Sequence, residues 1–133
     1  MSGAHDIKPA VHICETNANA SHLSEICAGL EEEGIPYVVF KASGGAKLLA
    51  FEAANHSHLR VGIGITPELA VLQIRNCPFD TTAGAYDNEM QAGNNTQERN
   101  PIFHVKLSSP TANSQCRALG TNAARAVKGG TLV

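Results

Sequence analysis

Between Leu23 and Phe40 the chain changes its apolar period once, and the join is sharply marked. Leu23, Ile26, Cys27 and Leu30 recur at the i, i+3, i+4, i+7 spacing of one buried helix face. Gly34 stands where a helix ends in a left-handed cap, and Pro36 forbids continuation. Directly afterwards, Tyr37-Val38-Val39-Phe40 is a nearly continuous apolar run, the pattern of a strand buried on both faces. A helix that hands over to such a strand points to an α/β fold.

The remaining segments extend that alternation. Ala10-Val11-His12-Ile13-Cys14 is a short strand candidate, and polar Asn17 to Ser21 leads into the first helix with Ser21 as its N-cap. Ser43-Gly44-Gly45 opens a second helix that ends near His56, with Leu48, Leu49 and Phe51 as a broad apolar stripe. Val61-Gly62-Ile63-Gly64-Ile65 and Leu69 to Ile74 are strands joined through Thr66-Pro67-Glu68, which predicts a hairpin. Cys77 to Asn100 is rich in Asn, Thr, Gly and Gln with little periodicity, and reads as a long polar loop at about 78–100. Ile102 to Leu107 restores a strand. Asn113 to Lys128 is a last helix with Cys116, Leu119, Ala123 and Val127 on one face, kept slim by Gly120 and Ala124 for close packing. The order predicts a single mixed sheet flanked by helices, in one domain spanning 1–133.

Composition narrows the function classes. A chain of 133 residues is one domain with room for a real core. A net charge of −2, with scattered Lys and Arg and no interleaved aromatic residues, argues against nucleic-acid binding. No apolar run reaches the length of a membrane span, and Met1 to Pro9 lacks the pattern of a signal peptide, so a cytoplasmic location is expected. Cys14, Cys27, Cys77 and Cys116 are far apart, without the close pairs of a structural zinc site, and read as reduced thiols.

Possible chemical motifs are weak. Gly62-Ile63-Gly64 is followed by Pro67 and another strand, so it is no dinucleotide loop; glycines permitting close approach within a strand account for it. Ser43-Gly44-Gly45 lacks the Lys and Ser/Thr of a phosphate loop and reads as a plain helix entry. His56 and His58 flank Ser57 at a helix end, which favours a solvated turn over a metal site. No nucleophile–base motif calls for an enzyme.

Glu31, Glu32 and Glu33 remain, at the end of a helix whose dipole prefers cations by about 0.3–1 kcal/mol per charge. Something outside the helix must offset them. At about 100° per residue, Glu32 lies about 180° from Leu23 and points straight outward, while Glu31 and Glu33 fall near the flanks of the buried face. Two readings stand level: a solvated acidic helix end, and an outward carboxylate offered to a cation or to a partner's Arg or Lys.

Gly29-Leu30-Glu31-Glu32-Glu33-Gly34-Ile35-Pro36, Leu59-Arg60-Val61-Gly62-Ile63-Gly64 and Leu119 to Gly129 occur here in one order. Together they resemble the small subunit of the reactivating factor for adenosylcobalamin-dependent glycerol and diol dehydratases, over most of the chain. The likeness extends more loosely to the dehydratase medium subunit. It implies a non-catalytic subunit, with a fold similar to class II synthetase anticodon-binding domains. The partner implied is an Hsp70-like large subunit that binds ATP or ADP and carries the ATPase. The complex would release damaged cobalamin by exchanging this subunit with one of the dehydratase, so the dehydratase large subunit becomes a transient partner. The family's acidic motif places a glutamate on a divalent metal, Mg2+, at the interface with the large subunit. The matching position is Glu32, with Glu31 and Glu33 beside it. No cofactor is expected in the chain alone, self-association of the isolated chain stays open, and association with a bacterial microcompartment is compatible with the family. The long 78–100 stretch departs from the family pattern. The alternatives are a medium subunit of a cobalamin-dependent dehydratase and a free-standing small-molecule-binding α/β domain with its site at Ser43-Gly45.

Overall fold

The computed structural model describes residues 9–75 and 101–129. In chain order they form β1 (Val11–Glu15), α1 (Ala20–Glu32), β2 (Tyr37–Lys41), α2 (Ala46–His56), β3 (Val61–Ile65), β4 (Leu69–Ile74), β5 (Pro101–Lys106) and α3 (Ala112–Lys128). The described strands make a five-stranded sheet in the order β2-β1-β3-β4-β5. β1 runs parallel to β2 and β3, whereas β4 is antiparallel to β3 and β5. The mixed sheet flanked by helices and the β3–β4 hairpin are as the sequence predicts. The expected loop at about 78–100 lies outside the described residues.

Helices cover the two faces of the sheet differently. On one face Val11, Ile13, Val61, Ile63 and Leu72 pack with Ile26 and Leu30 of α1 and with Cys116, Leu119 and Ala123 of α3. Ile26, Leu30 and Leu119 are wholly buried, each contributing about 1.5–3 kcal/mol relative to exposure. On the other face α2 lies over β3, with Ala46 and Ala50 against Val71. Gly62 and Gly64 permit that approach, because a Cβ on either would meet the α2 backbone at 2.2 Å.

α1 and α3 run in the same direction, since the contacts Ser21–Asn113, Glu25–Arg117 and Glu33–Lys128 advance together along both. Their backbones touch where both carry glycine. A Cβ on Gly29 would stand 2.4 Å from the Arg117 carbonyl oxygen, and one on Gly120 2.1 Å from that of Ile26. The slim face predicted for α3 is therefore spent on α1.

Three expectations are corrected. Among the described strands β2 is at the edge, exposed along Val38, Val39 and Phe40 rather than buried on both faces. An apolar run fixes a strand but not its rank in the sheet, and β2 lies beyond the cover of α2. On α2, Leu49 is buried while Leu48 and Phe51 are exposed, so the predicted stripe does not define its inner face. That face is instead alanine-rich: Ala46, Ala50, Ala53 and Ala54. The N-cap of α1 is Asn19, whose side chain accepts from the Ser21 and His22 N–H groups; the Ser21 hydroxyl donates to Asn113.

Candidate functional site at the acidic end of the first helix

Gly34 adopts φ +73°, and its N–H donates to the Glu31 carbonyl at 3.0 Å while the Ile35 N–H donates to that of Leu30 at 3.0 Å. This Schellman arrangement satisfies the last carbonyls of α1 and turns the chain back toward β2. Ile35 packs on the same core as Leu30, fixing the exit angle. The turn leaves Glu31, Glu32 and Glu33 on one rim, each with a different neighbour.

Glu31 accepts from the Tyr37 hydroxyl at the start of β2. Glu32 Oε2 accepts from Arg117 Nη1 at 2.7 Å, and the same guanidinium donates through Nε to Glu25 Oε1 at 2.9 Å. Glu33 Oε1 accepts from Lys128 Nζ at 2.9 Å. The offset required by the unfavourable helix dipole therefore comes from within the chain. Because α3 runs alongside α1 in the same direction, its cations arrive beside the acidic rim. Ion pairs this open to water are screened and stabilise only modestly.

The local fields move several groups. The hydrogen bond and charge of Lys128, with Arg125 adding to them, hold the Glu33 carboxyl below its ordinary range. The Glu31 carboxylate, followed by burial, pushes the Tyr37 phenol well upward. Burial raises the thiols of Cys14, Cys27 and Cys116, the last to about 11. Thiols held in that range are poor nucleophiles at neutral pH. His56 and His58, the other candidate pair, are exposed; His56 Nδ1 contacts the Glu52 carbonyl at 2.8 Å.

Glu32 is exposed, its side chain 58% so, but Glu31 is exposed as well. Glu32 leans across the helix seam to Arg117 rather than pointing straight outward as the helical wheel predicts. Arg117 engages Oε2, and no other described residue takes Oε1. Magnesium wants near-octahedral oxygen ligands, typically one or two carboxylates with several waters. Among the described residues no group of three or more His, Cys, Asp or Glu could enclose a metal ion. The donor set thus fits one contribution to a shared cation site, not a self-contained one. The sequence pointed to Glu32, but not to Tyr37, Arg117 and Lys128, its neighbours' and its own partners.

A family model described as the dehydratase medium subunit matches residues 8–133. The chain belongs to the dehydratase medium subunit family. Within it, the chain is 33% identical over 122 residues to the propanediol dehydratase-reactivating factor small subunit of Citrobacter freundii, covering 91% of this chain and 87% of that protein. The small subunit of the same factor from Salmonella typhimurium is 31% identical over the same span. Among solved structures, a diol dehydratase-reactivating factor complexed with ADP and Mg2+ superposes with a TM-score of 0.71 at 28% identity, covering 96% of this chain and 99% of the other. A glycerol dehydratase reactivase matches with the same TM-score and identity, over 95% and 97%.

Proposed function

We propose that this chain is the small, non-catalytic subunit of a dehydratase reactivase, working with a large subunit that binds nucleotide and Mg2+. The observation that carries this reading is the match, along nearly the whole of both chains, to subunits of reactivating factors in sequence and in fold. ATP hydrolysis belongs on an Hsp70-like large partner, and the complex releases damaged cobalamin from glycerol or diol dehydratase by subunit exchange.

At the interface, Glu32 supplies one carboxylate to the shared Mg2+, with Glu31 and Glu33 beside it. Glu32→Gln should weaken assembly with the large subunit in magnesium. Loss of the Arg117 pair should cost the isolated chain about 0.2–1 kcal/mol at most. Titration of the two subunits by calorimetry, alongside thermal melts, checks both; unchanged assembly with a large loss of stability would sink the role of Glu32. The whole reading is tested by restoring activity to inactivated dehydratase with the two purified subunits, ATP and Mg2+.

The family description itself favours a second reading, a medium subunit of the dehydratase. Cobalamin binding by this chain together with a dehydratase large subunit would support it, and no such binding is expected.

A further inference from the structure

Strand β2 presents a feature that the acidic rim does not explain. Val38, Val39 and Phe40 are 39%, 41% and 46% exposed in sequence, on a strand that pairs only with β1 among the described residues. The Val11 N–H donates to the Pro36 carbonyl and the Ala42 N–H to that of Glu15. With Val11 opposite Tyr37 and Ile13 opposite Val39, the main-chain groups of Val38 and Phe40 face β1. Those of Tyr37, Val39 and Lys41 therefore face outward, as an open edge.

The exposed region continues onto the α2 side of the sheet. His12 and Cys14 are opposite Val38 and Phe40 and stay only half-buried there. The His12 and Phe40 rings lie 5.1 Å apart. An open apolar edge of this kind invites pairing and is ordinarily blunted. Here the strand carries opposite charges at its ends. Glu31 is fastened to Tyr37 at one end, and Lys41 stands at the other with its side chain 91% exposed and Glu15 no nearer than 3.7 Å.

We infer that the β2 edge, with the part of the α2 face that β2 leaves uncovered, is the surface on which the large reactivase subunit docks. The occupant has an apolar extended segment along Val38, Val39 and Phe40, a cationic group toward Glu31 and an anionic group toward Lys41. The inference rests on the reading of the chain as a reactivase subunit. Two features of the molecule favour that partner. The Tyr37–Glu31 bond makes the edge continuous with the rim assigned to the subunit interface. A strand added in the plane of the sheet, moreover, would leave Val38 and Phe40 uncovered on their own face, so the occupant must also lay a second layer over β2, beside α2.

The test uses the full chain and the reactivase large subunit from the same organism, with Mg2+ and ADP present. Phe40→Glu and Val39→Pro are each expected to weaken binding about tenfold or more while the far-UV spectrum stays that of the parent. Lys41→Glu is expected to weaken it less. Hydrogen exchange at the Tyr37, Val39 and Lys41 amides should slow in the complex. If the parent binds and the variants bind equally well, with exchange unchanged, the surface is wrong and the functional reading stands. If the parent does not bind at all, the functional reading fails and takes this inference with it. A dimer of the isolated chain that the same variants abolish, with affinity for the large subunit intact, would assign the edge to a second copy and overturn the proposal.

Discussion

Lys128 closes on Glu33 at 2.9 Å, and this bond is the leading cause of the lowered carboxyl pKa. A folded-state value below the unfolded one stabilises the fold above the unfolded pKa, about 4.3 for a glutamate, and that stabilisation is lost as pH falls through the folded value. In Lys128→Met, the Glu33 carboxyl should titrate closer to its ordinary range, read by NMR of its side-chain carbon. A midpoint unmoved by the substitution would show that the pair does not form in solution. High salt should narrow the difference, since the Lys128 side chain is well exposed and Glu33 partly so. At this scale the sequence reveals the suspects but not their partners. The outward aim expected of Glu32 follows from helical geometry, which is local. Its pairing with Arg117 joins residues 85 positions apart and depends on how α3 is laid against α1.

The glycines of the helices separate two kinds of constraint. Gly34 has open space where a Cβ would stand but a backbone at φ +73°, so Gly34→Ala should cost only the left-handed penalty of about 1–2 kcal/mol. Gly120→Ala would drive a methyl to 2.1 Å from the Ile26 carbonyl oxygen, which no rotamer change relieves. It must push α1 from α3, at a cost of about 3 kcal/mol or more. Urea unfolding ranks the two, and a smaller loss at Gly120 than at Gly34 would mean that the helices are not in backbone contact. Gly34 and Pro36 were legible as a helix stop because capping is decided within a few residues. The rank of β2 in the sheet was not, because an apolar run serves a central or an edge strand equally. Lys41, ending that run, is the one local sign of an edge.

For the molecule as a whole, the acidic rim has two claimants. Arg117 holds Glu32 and Glu25 together across the α1–α3 seam, while the proposed assembly asks Glu32 to face a shared cation. Arg117 takes Oε2 and leaves Oε1 to the cation, but its positive charge beside the site opposes a second cation there, so Arg117 should raise the magnesium concentration needed for assembly. Removing it as Arg117→Met releases both glutamates and leaves an apolar stem over the seam. The isolated chain should lose about 0.4–2 kcal/mol, the sum of two exposed pairs. Assembly with the large subunit should then reach its midpoint at lower magnesium than in the parent, measured by titrating the metal into mixed subunits. The opposing trends matter, because a variant that is merely damaged would lose stability and assembly together. A magnesium midpoint that stays put while stability falls would mean that Arg117 and the cation do not compete for Glu32, and that the pair is simply part of the fold.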